Sequence, residues 1–309
     1  MNILVTGGAG FIGSNLVDYL LDKKHKIIIV DNFSTGKKIN IQHIKNDIVV
    51  YDESIENIDL NECGEINAIV HLAAQPSVPL SIENFKMSSE SNINGTINVL
   101  DYCSQKKIPF VYASSSAIYG NLSLGDDKCY EIDLLSPYAA DKYAMEIYAE
   151  TAFKVYNLSS IGLRFFNVYG PRQDPSSPYS GVISIFADRL LKRESITING
   201  GHQTRDFIYV KDVVKCIYEA LNISRDNVIC DSVNVLTGKS LTINQLSEIM
   251  ERETGYHPEK TYKELPLGDP EVSQGTSEKL MELLHVTQSE FTKIEDGLSK
   301  TIKYIREYE

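Results

Sequence analysis

Two side chains with acid–base character, Tyr138 and Lys142, stand four positions apart in the chain. They follow Ser136-Pro137, and proline is favoured in the first turn of a helix, so both side chains are expected on one helix face. A cationic ammonium beside a phenol favours the phenolate, so we expect Lys142 to lower the pKa of Tyr138 toward a range useful for proton transfer. The spacing also arises by chance, as a packed tyrosine beside a solvated lysine. We expect neither residue to belong to the core.

Three consecutive serines, Ser114 to Ser116, follow the apolar run at 109–112. In parallel α/β sheets the groups that face a ligand collect where buried strands end. Serines at this place can also simply end a strand. Their order in the chain, ahead of Tyr138 and Lys142, favours the functional interpretation.

Glycines dominate the segment between the first apolar run and the first amphipathic pattern. Gly8, Gly10 and Gly13 satisfy G-x-G-x-x-G, and Gly7, Gly10 and Gly13 satisfy G-x-x-G-x-x-G. Without side chains here, backbone N–H groups can approach a pyrophosphate at the positive end of a helix. Such a motif by itself is weak, because a glycine turn between a strand and a helix can be purely structural.

An acidic residue, Asp31, ends the second apolar run, 18 residues after Gly13. A carboxylate at this place accepts hydrogen bonds from both hydroxyls of an adenosine ribose and repels a 2′-phosphate. The alternative is a turn residue beside Asn32. Together with the glycine segment, Asp31 predicts NAD rather than NADP as the cofactor.

The elements that must position these residues alternate between strand and helix. Apolar runs typical of parallel strands covered on both faces lie at 3–5, 27–30, 48–50, 68–70, 109–112 and 160–163. Between them, apolar residues recur at helical spacing over 12–21, 93–103 and 140–155. This alternation predicts an α/β fold built on a Rossmann-type doubly wound parallel sheet with right-handed crossovers.

After residue 170 the rhythm changes, and the turn-rich stretch at 170–178 indicates a boundary. We predict an NAD-binding Rossmann domain over 1–170, rejoined by about 208–236, and a smaller C-terminal α/β substrate domain over 171–309. Helices are expected at 212–221 and from the capping-box spacing at 242–245 to Gly255. A terminal helix is expected from the apolar stripe of Phe291, Ile294, Leu298, Ile302 and Ile305.

Composition excludes several classes of partner. The net charge of -12 argues against nucleic acid and anionic membrane surfaces as partners, because proteins that bind them usually carry an excess of Lys and Arg. The five cysteines form no C-x-x-C pair, so neither a disulfide framework nor a metal site is expected. No apolar run reaches about 18 residues, and the chain opens without a basic leader, so we expect a cytoplasmic protein.

Eight blocks of the chain resemble the extended short-chain dehydrogenase/reductase family, and within it the UDP-hexose 4-epimerases. They are TGGAGFIG at 6–13, VDNFSTGK at 30–37, HLAAQPSV at 71–78, NINGTINVL at 92–100, SSSAIYG at 114–120, SPYAADKYAME at 136–146, LRFFNVYGPRQDP at 163–175 and TRDFIYVKDVV at 204–214. Together they cover most of the first 215 residues. The resemblance implies an isomerase that holds NAD tightly, oxidises a UDP-hexose at C4, lets the 4-keto sugar turn over and returns the hydride to its other face.

The same resemblance implies roles for individual residues. Tyr138 would take the proton of the C4 hydroxyl, Lys142 would bind the nicotinamide ribose and depress the pKa of Tyr138, and Ser116 would hydrogen-bond the C4 oxygen. The residues implied around the cofactor are Gly7, Gly10, Phe11, Ile12, Gly13, Asp31, Asn32, Ser34, Thr35, Gly36, Leu72, Ala73, Ala74, Asn92, Ser114, Tyr138, Lys142 and Phe165. Those implied around the UDP-sugar are Ser77, Ser116, Asn167, Thr197, Asn199, Arg205, Asp269 and Ser273.

Arg205 is the strongest of the UDP contacts, because a guanidinium matches diphosphate oxygens bidentately. A surface ion pair with Asp206 is the alternative. The chain departs from its relatives at Pro266-Leu267-Gly268-Asp269, where the second arginine usual two residues before the Gly-Asp pair is missing. The diphosphate clamp is then weaker or completed from elsewhere.

Related activities need different residues after the strand-end serines. A sugar-nucleotide 4,6-dehydratase needs an Asp-Glu acid–base couple there, and UDP-glucuronate decarboxylases normally carry a glutamate. The chain has Ala117 and Ile118, which cannot transfer protons. A non-catalytic NAD-binding protein would lose Tyr138 or Lys142. A UDP-glucuronate 4-epimerase stays open as an alternative.

Ser273 bears on the choice of sugar. In epimerases that resemble this chain, the residue four after the Gly-Asp aspartate lies beside the C2 substituent, where tyrosine restricts the enzyme to glucose and galactose and a small residue admits an N-acetyl group. The run at 77–81 also resembles a segment of N-acetylhexosamine-selective members. We therefore expect interconversion of UDP-GlcNAc and UDP-GalNAc, with UDP-Glc and UDP-Gal as further substrates. The alternative is a serine on an ordinary loop. Relatives commonly form homodimers through the helices near 93–106 and 138–156, so we expect the same here.

Overall fold

The computed structural model describes residues 1–176, 180–266 and 269–308. In these ranges the strands are β1 Asn2–Thr6, β2 Lys26–Val30, β3 Ile48–Tyr51, β4 Ala68–His71, β5 Phe110–Ser115, β6 Ser160–Phe165, β7 Asn167–Tyr169, β8 Ile196–Asn199, β9 Thr204–Tyr209, β10 Cys230–Val235, β11 Ser240–Thr242, β12 Lys260–Lys263 and β13 Val272–Ser273. The predicted boundary stretch at 170–178 and the Gly-Asp pair at 268–269 lie partly outside the described residues.

The helices fill the intervals between the strands. They are α1 Phe11–Asp22, α2 Val78–Glu83, α3 Phe85–Ser89, α4 Gly95–Lys106, α5 Pro137–Tyr156, α6 Val182–Leu191, α7 Val210–Asp226, α8 Ile243–Thr254, α9 Glu278–Leu284 and α10 Ile294–Tyr308. Short 3₁₀-helices run over 38–44, 60–63, 116–119 and 288–290, and a π-helical turn over 90–94. Within the described ranges, every helix is too short or too polar to cross a membrane.

Seven parallel strands form the large sheet, in the order β10-β6-β5-β4-β1-β2-β3. The register places Thr6 beside Val30 on one side and beside His71 on the other, so β1, β2 and β4 end together. Helices cover both faces: α7 packs on α1, and α4 packs on α5. The predicted α/β class with a doubly wound parallel sheet is confirmed.

A smaller part of the molecule is built from the remaining strands. Strand β9 pairs in parallel with β7 and β13 and antiparallel with β11, and β8 pairs in parallel with β12. Its core lies between these strands and α6, α8 and α10. Helix α7 packs against α1, β5 and β6, and strand β10 then joins the large sheet beside β6.

The ends of several helices agree with the sequence expectations. Ser136 caps α5 by accepting a hydrogen bond from the Ala139 N–H. Thr242 and Gln245 form a complete capping box on α8, which ends at Gly255 in a left-handed conformation. One expectation is wrong: α10 begins at Ile294, so Phe291 precedes the terminal helix and follows a 3₁₀ turn instead.

Candidate active site

Helix α5 carries the tyrosine and the lysine that the sequence singled out. Tyr138 is partly exposed, and Lys142 is 3% exposed. The Lys142 Nζ donates to the Ala113 carbonyl at 2.7 Å and lies 5.8 Å from the centroid of the Tyr138 ring. The expectation that Lys142 lies outside the core is therefore wrong, because β5 ends against α5 and covers the ammonium.

Burial governs the electrostatics of this pair. Burial raises the pKa of Tyr138, a hydrogen-bonding interaction with Ser115 opposes the rise, and Asp141 adds to it. Burial lowers the pKa of Lys142 to about 8, against the charge of Asp141. The Tyr138 pKa is raised rather than lowered as expected, because burial outweighs the charge of Lys142, whose ammonium bonds a backbone carbonyl rather than the phenol.

The three serines have three different environments. Ser114 donates to Glu146 at 2.5 Å, whereas the Ser115 hydroxyl accepts from the Ala117 N–H at 3.1 Å and interacts with Tyr138. Ser116 begins a 3₁₀-helix, and in the described part of the chain its hydroxyl has no hydrogen-bond partner. Ser116 was expected at the C4 oxygen from the resemblance, whereas the contacts of Ser115 and Glu146 were not predicted. The only signals were the run of identical serines and the helical spacing from Lys142 to Glu146.

The glycine segment forms a cradle that side chains would fill. Gly7 has φ +67°, and a Cβ there would lie 2.8 Å from the Ala73 nitrogen. A Cβ on Gly13 would lie 2.1 Å from the Gly7 carbonyl oxygen. Gly10 is the N-cap of α1 and has no side chain to cap the helix, so no N-cap side chain accepts from the first N–H groups of the helix. This is the arrangement that binds the pyrophosphate of a dinucleotide.

Asp31 closes the other side of this cradle. Its carboxylate is 7% exposed and accepts from the Ala9 and Phe33 N–H groups at 2.8 Å each. Burial raises the pKa of Asp31, and these two N–H groups oppose the rise. Each oxygen keeps a lone pair for a further donor, so the carboxylate fits a ribose diol. A Cβ on Gly36 would lie 2.7 Å from the same carboxylate. The residues present therefore fit NAD.

A buried polar chain joins the cradle to α5. The Thr6 hydroxyl lies 2.7 Å from His71 Nδ1 and accepts from the Leu72 and Ala73 N–H groups. His71 Nε2 lies 3.2 Å from Thr96, which donates to the Asn92 carbonyl, so the order of donors makes Nε2 the protonated nitrogen. Burial and the charge of Lys142 lower the pKa of His71 to about 3, which keeps the ring neutral. The sequence did not single out Thr6, His71 or Thr96.

Asn92 ties this chain to the base of α5. It lies in the π-helical turn, accepts from the Gln75 N–H at 2.8 Å and donates to the Asp141 carboxylate at 3.1 Å. Ser77 caps α2 through the Leu80 N–H, and Ser81 of that helix accepts from the Tyr138 N–H at 3.2 Å. The segments predicted to face the cofactor thus meet the helix that carries Tyr138 and Lys142.

The residues predicted to meet the UDP part form two groups. Arg205 is 7% exposed and pairs with the Asp269 carboxylate and the Thr204 carbonyl. Ser273 stands opposite Arg205 in the register of β13 with β9. Asn167 donates to the Asp206 carbonyl at 3.1 Å, so it lies on the same sheet. The alternative pair of Arg205 with Asp206 is wrong, because Asp206 is buried and accepts from Thr237.

The remaining members lie on separate elements. Thr197 and Asn199 share the exposed face of β8. Phe165 ends β6 directly beside Ser115 of β5. A backbone bridge between Gly125 and Gly275 ties the loop after the serines to the chain that follows Ser273. In the described ranges no cluster of His, Cys, Asp and Glu side chains could hold a metal ion.

Comparison with known proteins gives a consistent likeness over nearly the whole chain. The model of the NAD dependent epimerase/dehydratase family matches residues 3–235. A putative UDP-glucose 4-epimerase of Methanocaldococcus jannaschii is 42% identical over 267 residues, which make up 84% of this chain and 85% of that protein.

Two solved structures share the whole fold. A UDP-N-acetylglucosamine 4-epimerase from Methanobrevibacter ruminantium, in complex with UDP-N-acetylmuramic acid, has a TM-score of 0.92 at 34% identity over 100% of this chain and 99% of that one. A UDP-glucuronic acid 4-epimerase from Bacillus cereus, in complex with UDP-glucuronic acid and NAD, has a TM-score of 0.92 at 30% identity over 100% of both chains.

Proposed function

The chain belongs to the NAD dependent epimerase/dehydratase family, as its resemblance predicted, and from this premise we propose that it inverts the configuration at C4 of a UDP-hexose with NAD as cofactor. The observation that carries the proposal is the buried Lys142 beside Tyr138 at the end of β5. The serines at that end are followed by Ala117 and Ile118, whose side chains cannot transfer protons. The named relatives are UDP-sugar 4-epimerases, which supports the same reaction.

Different residues of the chain carry out the separate steps at C4 of the sugar. NAD, when bound, supplies the hydride acceptor and donor for C4, so the reaction needs no outside redox partner. Tyr138 accepts the proton of the C4 hydroxyl, and Ser115 and Ser116 are the hydroxyls at hand to bind the C4 oxygen. Lys142, cationic at neutral pH with its pKa near 8, stabilises the phenolate once Tyr138 has lost its proton. The 4-keto sugar would then turn over and take the hydride back on the opposite face of C4, and Tyr138 would return its proton to the C4 oxygen.

The residues after the serines separate this reaction from its relatives. Loss of the C6 hydroxyl needs an acid and a base near C5 and C6, and Ile118 is fully buried without any such group. Ala117 likewise offers only its backbone N–H, which Ser115 accepts. Epimerisation needs no second acid–base couple, so the site as built supports it best.

Recognition of UDP falls to the sheet around β9. Arg205 is held by Asp269 with its guanidinium against the Thr204 carbonyl. A diphosphate would compete for this guanidinium, because bidentate Arg–phosphate pairs are strong. Asn167, on neighbouring β7, is the other polar side chain of this sheet that we assign to the nucleotide.

Ser273 supports an N-acetylated sugar. It lies opposite Arg205, partly exposed, and its carbonyl accepts from Ser240 at 3.3 Å. A small side chain at this position leaves room beside C2 for an acetamido group. We assign UDP-GlcNAc and UDP-GalNAc as substrates, with UDP-Glc and UDP-Gal admitted by the same pocket.

We expect Ser273→Tyr to abolish turnover of UDP-GlcNAc through a steric clash and to spare UDP-Glc. The measurement is product resolution after incubating each variant with UDP-Glc, UDP-GlcNAc and UDP-glucuronate, without added nicotinamide nucleotide. Gln274→Tyr is the matched control, because Gln274 directly follows β13 and is exposed. A wild type that ignores UDP-GlcNAc, or that prefers UDP-glucuronate, would contradict this assignment of the sugar.

We also assign the chain to a homodimer formed through α4 and α5. These helices pack against each other and leave large apolar side chains exposed, namely Ile97, Ile147, Tyr148 and Val155. We propose that these side chains lie together in the interface, since large exposed apolar patches mark interaction surfaces. A cytoplasmic location stays a prediction from the sequence.

A further inference from the structure

A buried ion pair lies directly behind the end of β5. Glu146 of α5 and Arg164 of β6 are each 9% exposed at the side chain. Arg164 donates through Nε to Glu146 Oε1 at 2.9 Å and through Nη2 to Oε2 at 2.6 Å, so the contact is bidentate. The Ser114 hydroxyl donates to the same Oε1 at 2.5 Å. Neither charged residue has a part in the chemistry described above.

Three successive turns of α5 each hold one residue of the end of β5. Tyr138 interacts with Ser115, Lys142 donates to the Ala113 carbonyl, and Glu146 accepts from Ser114. The three helix residues are spaced by four, so they share one helix face. The register of this contact decides whether the Ser115 hydroxyl stays beside the phenol.

The ion pair anchors this contact to the rest of the molecule. Arg164 Nη1 donates to the Tyr119 hydroxyl at 2.7 Å, and Tyr119 donates to Asn234 Oδ1 at 2.7 Å. Asn234 Nδ2 donates to the Gly125 carbonyl at 3.0 Å and to the Thr276 carbonyl at 3.2 Å. The chain of bonds thus runs from α5 to the segment three residues beyond Ser273.

We propose that Glu146 and Arg164 are positioning residues, which hold the end of β5 in register with α5 so that Ser115 stays beside Tyr138. The proposal rests on the proposed function, since it gives Tyr138 its role. A buried ion pair costs much of its attraction in desolvation, and replacing it with apolar residues of similar volume is often neutral for stability. The effect of the ion pair on the geometry of the site can therefore be measured separately from its contribution to folding.

This separation defines the experiment. The double variant Glu146→Leu/Arg164→Met keeps the volume of the pair and removes the bidentate contact and the acceptor for Ser114. We expect its thermal midpoint to stay near that of the wild type, whereas kcat falls by about 100-fold, the usual cost of a misplacement of about 1 Å. The KM for the UDP-sugar should change little, because Arg205 and Ser273 are untouched.

Two further variants keep the test decisive where the double variant does not fold. Arg164→Lys keeps the charge but loses the planar fork, and Glu146→Asp keeps the carboxylate but shortens its reach; both should lower kcat without a matching rise in KM. The control Glu251→Leu/Lys260→Met removes a partly buried ion pair in the smaller part of the molecule and should leave kcat unchanged.

The outcomes separate the two proposals. Wild-type kcat in a folded double variant, or in both single variants, would overturn the positioning role and leave the proposed function standing. A loss of kcat that follows the loss of thermal stability in every variant would likewise reduce the pair to a structural role. A wild type without C4 epimerase activity on any UDP-sugar would overturn the proposed function itself.

Discussion

At the scale of single residues, the site places an ionisable pair where burial opposes both charges. The phenol of Tyr138 is pushed toward its neutral form and the ammonium of Lys142 toward its neutral amine. Active sites collect perturbed groups of this kind because proton transfer is efficient when the pKa lies near the working pH. The Lys142 pKa near 8 leaves it largely cationic at pH 7, where it can favour the phenolate.

Residue identities were predictable from the sequence, but their contacts were not. The helical spacing from Tyr138 to Lys142 follows from the pattern. Which of the three serines faces the phenol does not, because Ser114, Ser115 and Ser116 are chemically identical and only the path of β5 into the 3₁₀-helix distinguishes them. The hydrogen-bond partner of the Lys142 ammonium, a backbone carbonyl, likewise could not be predicted from the sequence.

Lys142→Met tests the burial of the ammonium through the pH dependence of stability. The folded-state pKa of about 8 lies below the ordinary 10.5, so between these values the unfolded chain binds more protons. As the pH rises from about 8 to about 10.5, the titration of Lys142 should therefore raise the free energy of unfolding of the nucleotide-free wild type by up to about 3 kcal/mol. The cost of burying the charged ammonium is fully present below pH 8. Lys142→Met should therefore be the more stable protein at pH 7, after correction for its lost hydrogen bond to Ala113. The variant should also lose activity.

Denaturant unfolding at several pH values checks this expectation. The difference between wild type and Lys142→Met isolates the one group, and Lys154→Met, an exposed lysine of the same helix, should keep the wild-type rise. Parallel stability curves for wild type and Lys142→Met between pH 8 and 10.5 would contradict the buried ammonium.

At the scale of elements, periodicity predicted the strands and helices of the large sheet well. Runs of β-branched residues such as 27–30 and the helical stripe at 140–155 carry their signal within one segment. The sequence did not predict features that depend on partners distant in the chain. The π-helical turn at 90–94 forms around Asn92, which bonds Gln75 and Asp141, and the Gly125–Gly275 bridge joins segments 150 residues apart.

The glycine cradle gives a prediction at this scale. A methyl group on Gly13 would lie 2.1 Å from the Gly7 carbonyl oxygen, so Gly13→Ala must displace the turn that faces the pyrophosphate. Each 1.4 kcal/mol of misfit lowers affinity tenfold, and we expect NAD to be lost during purification of this variant. Absorbance of nucleotide released by heat from the purified protein measures the retained fraction.

Gly255→Ala is the matched control for the cradle. Like Gly7 of the cradle, Gly255 has a positive φ, at +68°, but nothing lies within 4 Å of an added Cβ. This variant should lose about 1–2 kcal/mol of stability through backbone strain and keep NAD as the wild type does. Equal retention of NAD by Gly13→Ala and wild type would remove the cradle from cofactor binding.

At the scale of the whole molecule, the exposed apolar side chains of α4 and α5 point to association. The helices were predictable from periodicity, whereas a homodimer was expected only from the resemblance to relatives. The structure adds that Ile147 and Val155 are 48% and 63% exposed on one helix. Ile147 and Val155 are eight residues apart, which places them near the same face of α5, as a shared interface would require.

Ile147→Glu/Val155→Glu should therefore dissociate the proposed homodimer into monomers, since charges at an apolar interface repel and lose solvation. Sedimentation or light scattering at micromolar concentration gives the mass. Ile39→Glu, at an apolar residue that is 71% exposed elsewhere, is the control and should leave the mass unchanged. A wild type that is monomeric at these concentrations would contradict the homodimer.

The central claim is that hydrogen leaves C4 of a UDP-hexose and returns to C4 of the same sugar. UDP-GlcNAc carrying deuterium at C4 tests it most directly, with NMR of the purified protein's products in ordinary water and no added nicotinamide nucleotide. The account predicts UDP-GalNAc that retains deuterium at C4, reached from either epimer at the same final ratio. Inversion with loss of the label to solvent, or accumulation of a reduced cofactor in proportion to the product, would contradict it.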